Sequence, residues 1–135
     1  MSQSQKEENH GLEQAGAQLE SIKALVAALN AATGDEQATE AAQQAIFEDP
    51  LSVEVRSGWH TPGISNPDNT AEEFKILLCT GGPAVQIIGN LSEHGEPDKV
   101  WLQYQDWFTP WQDYPLTSEE HEIVLMYCRQ FYFAE

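Results

Sequence analysis

Between residues 12 and 29 the apolar side chains Leu12, Ala15, Leu19, Ile22, Val26 and Leu29 recur at alternating steps of three and four, which sets them on one stripe of a helix. The pattern predicts a helix closing near Thr33-Gly34, where a glycine suits a C-terminal cap. Asp35 can then cap a second helix running through Phe47, with Glu36 favourable in its first turn and Asp49-Pro50 ending it. Ala38, Ala41, Ala42, Ala45 and Ile46 give that helix a small apolar face. Together the two segments read as a helical hairpin over residues 11–49. The stripe of the first can dock on a sheet, or it can form a homo-oligomer seam through Leu19, Ile22, Val26 and Leu29. Residues 1–10 carry no apolar side chain beyond Met1, so nothing offsets the entropy of ordering them, and they read as a disordered tail.

After Pro50 the period changes to two. Leu51, Val53 and Val55 alternate with Ser52, Glu54 and Arg56, as in a strand with one buried face. Residues 58–69 hold Pro62, Gly63, Asn66 and Pro67 and predict a long surface loop. Residues 73–79 and 84–91 are the most apolar strands, joined by Thr80-Gly81-Gly82-Pro83, whose glycines permit the positive φ of a tight antiparallel turn. A second turn over residues 93–98 leads to a strand over 99–105, with Val100, Leu102 and Tyr104 on one face and Trp101 and Gln103 on the other. Residues 108–115 read as a loop. Thr117 and Glu120 have the spacing of a capping box for a last helix reaching about Phe131, its face marked by Val124, Cys128 and Phe131. The expected fold is α+β, with residues 50–135 forming an antiparallel sheet of about four strands covered on one face by the C-terminal helix.

Charge alters what such a fold can do. The 135-residue chain has 22 acids against 6 bases, a net charge of −16. Residues 1–50 hold 9 acids and 2 bases and residues 51–135 hold 13 and 4, so the acidity belongs to the folded body. It opposes direct contact with nucleic acid phosphates or anionic membranes and steers the protein toward basic surfaces, the commonest large ones of which belong to nucleic-acid-binding proteins. The competing account is that the charge only confers solubility. Cys79 and Cys128 each lie in an apolar run and read as buried free thiols of a reducing compartment. No apolar run approaches a membrane span, and the expected location is cytoplasmic.

The densest chemistry is aromatic. Residues 101–114 contain three tryptophans, two tyrosines and a phenylalanine. Trp107, Phe108, Trp111 and Tyr114, flanked by Asp106 and Asp113 in a proline-containing loop, form the candidate binding surface. Trp59 joins them because Trp59-His60-Thr61-Pro62 echoes Trp107-Phe108-Thr109-Pro110 after a predicted strand. Such anchors suit an arginine-rich surface through cation–π and ionic contacts; the same residues could instead fold back and plug the sheet edge. No metal site or cofactor is expected: residues 93–98 lack the ligand alternation of a calcium loop, and His121-Glu122 lacks the second histidine of a zinc protease. Cys79 before Thr80-Gly81-Gly82 lacks the electropositive surroundings of a reactive thiol, so no catalytic residue is assigned.

The stretch from Leu78-Cys79-Thr80-Gly81-Gly82-Pro83-Ala84-Val85, through Gln105-Asp106-Trp107-Phe108-Thr109-Pro110-Trp111, to Tyr127-Cys128-Arg129-Gln130-Phe131-Tyr132 resembles an uncharacterised family of small acidic proteins associated with bacteriophages, plasmids and mobile elements. The resemblance covers about residues 53–133 and brings no catalytic residue. It implies a context in which charge mimicry of DNA and inhibition of host defence recur. The expected function is a non-enzymatic interaction protein that engages a basic, nucleic-acid-binding partner. The rival expectations are an accessory protein self-associating through the first helix, and a small-molecule or peptide binder using the aromatic loop.

Overall fold

The computed structural model describes residues 10–56, 72–80, 82–92, 95–106 and 109–131. The chain runs α1 (His10–Ala31), α2 (Glu36–Glu48), β1 (Ser52–Arg56), β2 (Glu73–Cys79), β3 (Ala84–Leu91), β4 (Pro97–Gln105), β5 (Gln112–Asp113) and α3 (Ser118–Cys128). The strands form one antiparallel meander in the order β1-β2-β3-β4-β5. The α+β expectation therefore holds, with one strand more than expected. Gln112 and Asp113 pair with Tyr104 and Gln103, so part of the segment read as a loop extends the sheet.

All three helices share a core with one face of the sheet. Phe74, Ile76, Leu78, Val85, Ile87, Val100 and Leu102 meet the stripe of α1 and the inner face of α3. Leu19, Ile22, Val26 and Leu29 lie inside this core, none more than 8% exposed. Of the two uses open to that stripe, docking is the one realised. A self-association seam through these four residues is corrected accordingly, because their apolar area is already covered within one chain.

The helix ends follow the capping chemistry read from the sequence. Gly34 adopts φ +93° after α1, and the Asp35 carboxylate accepts from the Ala38 N–H at 3.1 Å to start α2. α2 meets the core only through Ala42 and Ile46; Ala41 and Ala45 are exposed, so its buried face is narrower than the run of alanines suggested. Before α3, Thr117 accepts from the Glu120 N–H at 3.1 Å while Glu120 Oε1 accepts from the Thr117 N–H at 3.0 Å. The other oxygen of Glu120 accepts from Lys23 Nζ at 2.7 Å, which ties α3 to α1. The Lys23 hydrogen bond, then the capping N–H, hold the Glu120 carboxyl below the usual range. α3 closes at Cys128, earlier than the expected Phe131, which continues in turns and rests edge-on against Phe47 and Tyr127.

One further expectation holds only in part. β1, an edge strand, buries its face only in part: Val55 packs against the core, whereas Val53 is 38% exposed and Leu51, just before the strand, 59%. Between β2 and β3, which pair antiparallel as expected, Gly81 lies outside the described residues; positive φ is found at Gly34 and at Gly95, the latter in the turn before β4. Cys128 is fully buried, whereas Cys79 is half-buried, and both thiols are free.

Tyr127 ties α3 to the end of α2. Its ring is inaccessible and its hydroxyl donates to Asp49 Oδ2, just past the end of α2, at 2.7 Å. Burial, then the Asp49 carboxylate, push the phenol far above the ordinary tyrosine range. The raised folded-state value means that this contribution is complete below the ordinary tyrosine pKa of about 10 and declines as pH rises above it. Tyr127→Phe should lower unfolding free energy by about 1–2 kcal/mol, the loss of a hydrogen bond to a charged but partly solvated acceptor. Urea denaturation at neutral pH measures this, and the variant should also lose part of the destabilisation above pH ~10.

Candidate functional site

The alternation of the strands gives the sheet a second face, turned away from the helices. On it β4 presents Lys99, Trp101 and Gln103, opposite Asn90, Ile88 and Gln86 of β3. The Gln86 side-chain amide donates to Gln103 Oε1, and that of Gln103 donates to Asp113 Oδ1, each at 2.9 Å, forming a polar ladder from β3 to β5. Toward β1 the face carries two ion pairs, Arg56 with Glu73 at 2.7 Å and Lys75 with Glu54 at 3.9 Å. The Arg56 hydrogen bond holds the Glu73 carboxyl below its usual range, and Glu73 raises the guanidinium in return. At the other end Lys99 Nζ lies 5.5 Å from the centroid of the Trp101 ring.

A cleft of about 440 Å³ opens on this face. Trp101, Trp111 and Ile88 supply its apolar wall, and Arg56, Lys75 and Asn90 are among its polar groups. A second cleft of about 440 Å³ lies beside the start of α3, between Lys99, Tyr114, Ser118 and His121. There His121 Nε2 accepts from the Val100 N–H at 3.4 Å, joining α3 to the edge of β4.

The residues read from the sequence as one aromatic surface are distributed between these places. β5 separates them: Trp111 falls on the cleft side with Asp113, whereas Tyr114 returns to the helical side. There the Tyr114 N–H donates to the Leu102 carbonyl at 2.7 Å, and its hydroxyl approaches Gly16 of α1. Tyr114 packs against the core and lines the second cleft. Asp106 is half-buried in a turn where its N–H donates to Thr109 Oγ1 at 3.0 Å and its carbonyl accepts from the same hydroxyl at 3.1 Å. Asp113 is exposed and holds Gln103. Trp59, Trp107 and Phe108 lie outside the described residues. A single surface containing both Trp111 and Tyr114 is therefore replaced by two clefts, one lined by Trp111 and the other by Tyr114, with Trp101 lining both.

The sequence reading did not pick out Trp101, Ile88, Arg56, Lys75 or Asn90 as cleft residues. The signal was present in the strand parity that sets Trp101 apart from Val100 and Leu102, but it acquires meaning only once the helices are known to cover one face alone.

Charge is sorted between the two sides as well. The helices and their caps bear ten acids: Glu13 and Glu20 on α1, Asp35, Glu36, Glu40, Glu48 and Asp49 around α2, and Glu119, Glu120 and Glu122 on α3. Among the described residues only Lys23 and Arg129 oppose them there, giving ten against two. Lys23 is paired with Glu20 and Glu120, and Arg129 Nε donates to the Pro97 carbonyl at 3.4 Å. Among the described residues the open sheet face holds three acids, Glu54, Glu73 and Asp113, against three cations, Arg56, Lys75 and Lys99, while Glu72, Glu96, Asp98 and Asp106 lie at strand ends and in turns, outside both groups.

Burial raises the Cys79 thiol above its usual range and pushes Cys128 higher still. Among the described residues no three histidine, cysteine or acidic side chains are grouped to hold a metal ion, and no helix is long and apolar enough to cross a membrane.

The arrangement defines a two-layer α+β protein with an acidic helical side and a neutral, tryptophan-bearing sheet cleft. Comparison of the chain with known protein families, curated proteins and solved structures finds no match.

Proposed function

We propose that this is a non-enzymatic interaction protein whose acidic helical side engages a basic, nucleic-acid-binding protein. The observation that carries the reading is the uneven charge of the described helices and sheet face, ten acids against two bases on the helices and their caps and three against three on the open sheet face, with four further acids at strand ends and turns. Acidity needed only for solubility has no reason to avoid one face, whereas an electrostatic docking surface concentrates it on the side that meets the partner. The resemblance to small acidic proteins of phages and mobile elements fits the same reading, with DNA mimicry or inhibition of a host defence protein as the biological form. A cytoplasmic setting suits the free thiols of Cys79 and Cys128. Self-association through α1 as an alternative function would need apolar residues that are buried in the core.

The test uses an immobilised arginine-rich peptide and a variant in which Glu13, Glu36, Glu40, Glu48 and Glu119, all exposed, become Gln. Wild-type binding should weaken at least tenfold between low salt and about 1 M, as the Debye length shrinks to about 3 Å. The variant should bind at least tenfold more weakly at low salt, while Trp111→Ala should bind as wild type does. Undiminished binding by the five-Gln variant would overturn the assignment of the helical side.

A further inference from the structure

We infer that the cleft on the open sheet face is a binding site for a neutral, hydroxyl-bearing ring ligand of the short-oligosaccharide class, separate from the acidic helical side. Two half-buried indoles, Trp101 and Trp111, with Ile88 beside them, give the cleft an apolar wall. Most of its polar lining is planar: the Asn90 and Gln86 amides, the Glu73 and Glu54 carboxylates and the Arg56 guanidinium, with Lys75 beside them. A ligand matched to both parts must present apolar ring faces to the indoles and a mixture of donors and acceptors around its rim. Sugar rings have that composition, with C–H faces and a girdle of hydroxyls.

Electrostatics narrows the choice. Every cation of the cleft already has a carboxylate, Arg56 with Glu73 and Lys75 with Glu54, so no surplus positive charge is left to hold a phosphate. The chain's −16 charge repels anions at longer range. A cationic ligand gains little there, since Lys99 already lies over the Trp101 ring and the cleft's carboxylates are already held by Arg56 and Lys75. A neutral ligand needs neither kind of charge. The volume of about 440 Å³ lies within the range of small-ligand sites and is too small for a folded partner.

Titrating intrinsic tryptophan fluorescence with maltotriose, cellotriose and tri-N-acetylchitotriose tests the assignment, with AMP and a choline salt as the anionic and cationic comparisons. Saturable binding of at least one neutral trisaccharide is expected, with no saturable response to AMP or choline. Trp111→Ala should weaken that binding at least tenfold. Asn90→Ala, at an exposed position that leaves the core intact, should weaken it severalfold with an unchanged circular dichroism spectrum. The five-Gln variant of the helical side should bind the sugar normally, so loss of the peptide interaction and loss of the sugar interaction are told apart. No saturation with any of the three sugars, or saturation by AMP or choline alone, would overturn the inference, as would sugar binding indifferent to both Trp111→Ala and Asn90→Ala.

Discussion

Replacing Ile22 and Val26 of α1 together by glutamate should unfold the protein rather than release a folded monomer. Both side chains are inaccessible, packed where α1 crosses the sheet and meets α3. Each substitution removes buried apolar volume worth about 2–4 kcal/mol. It also forces a carboxylate into an interior where an unpaired charge costs several kcal/mol more. Lys23, the nearest base in sequence, is already held by Glu20 and Glu120. The combined loss matches or exceeds the whole stability of a domain this size, about 5–15 kcal/mol. Circular dichroism and light scattering check it: the expected result is loss of the cooperative urea transition. A folded, monomeric double variant derived from an oligomeric parent would restore the self-association seam and overturn the packing of α1.

The second large effect is expected at Gly89, in the middle of β3 and opposite Val100. A Cβ built there would sit 2.5 Å from the Lys99 carbonyl oxygen and 2.5 and 2.6 Å from two carbons of the Phe74 ring. The absence of a side chain is what allows the Phe74 ring to lie across the strand. Gly89→Ala should destabilise by about 1–3 kcal/mol through overpacking, and Gly89→Val should prevent folding. Shrinking the ring should not rescue the alanine variant fully, because the clash with the backbone carbonyl remains. Urea midpoints of Gly89→Ala alone and with Phe74→Leu separate the two contributions. Full recovery in the double variant would mean that only the ring matters.

The helical expectations were legible because their causes are local. Asp35 and Thr117 satisfy N–H groups three residues away, and the three-and-four spacing from Ala15 to Leu29 marks one face whatever lies opposite it. The strands β2, β3 and β4 were legible for the same reason, since alternation and apolar density reside within each segment. What the stripe of α1 would meet was not local, and the sequence left the sheet and a second copy as equal candidates.

The aromatic segment shows the limit most clearly. Trp101, Trp111 and Tyr114 are close in sequence, and their density alone marked a region of interest. The division of Trp111 and Tyr114 between two clefts depends on the two-residue pairing of β5 with Gln103 and Tyr104, a contact too short to leave a periodic signal. The sequence by itself determined the class of fold, the caps, the three central strands and the sign of the charge, because each follows from composition or from neighbours a few residues apart. Only the tertiary structure decided that the acids gather on the helices, that Arg56, Lys75 and Lys99 balance the open sheet face, and that Trp101 and Trp111 share one cleft. Those facts arise from residues far apart in the chain, brought together when the helices bury a single face of the sheet and leave the other uncovered by them.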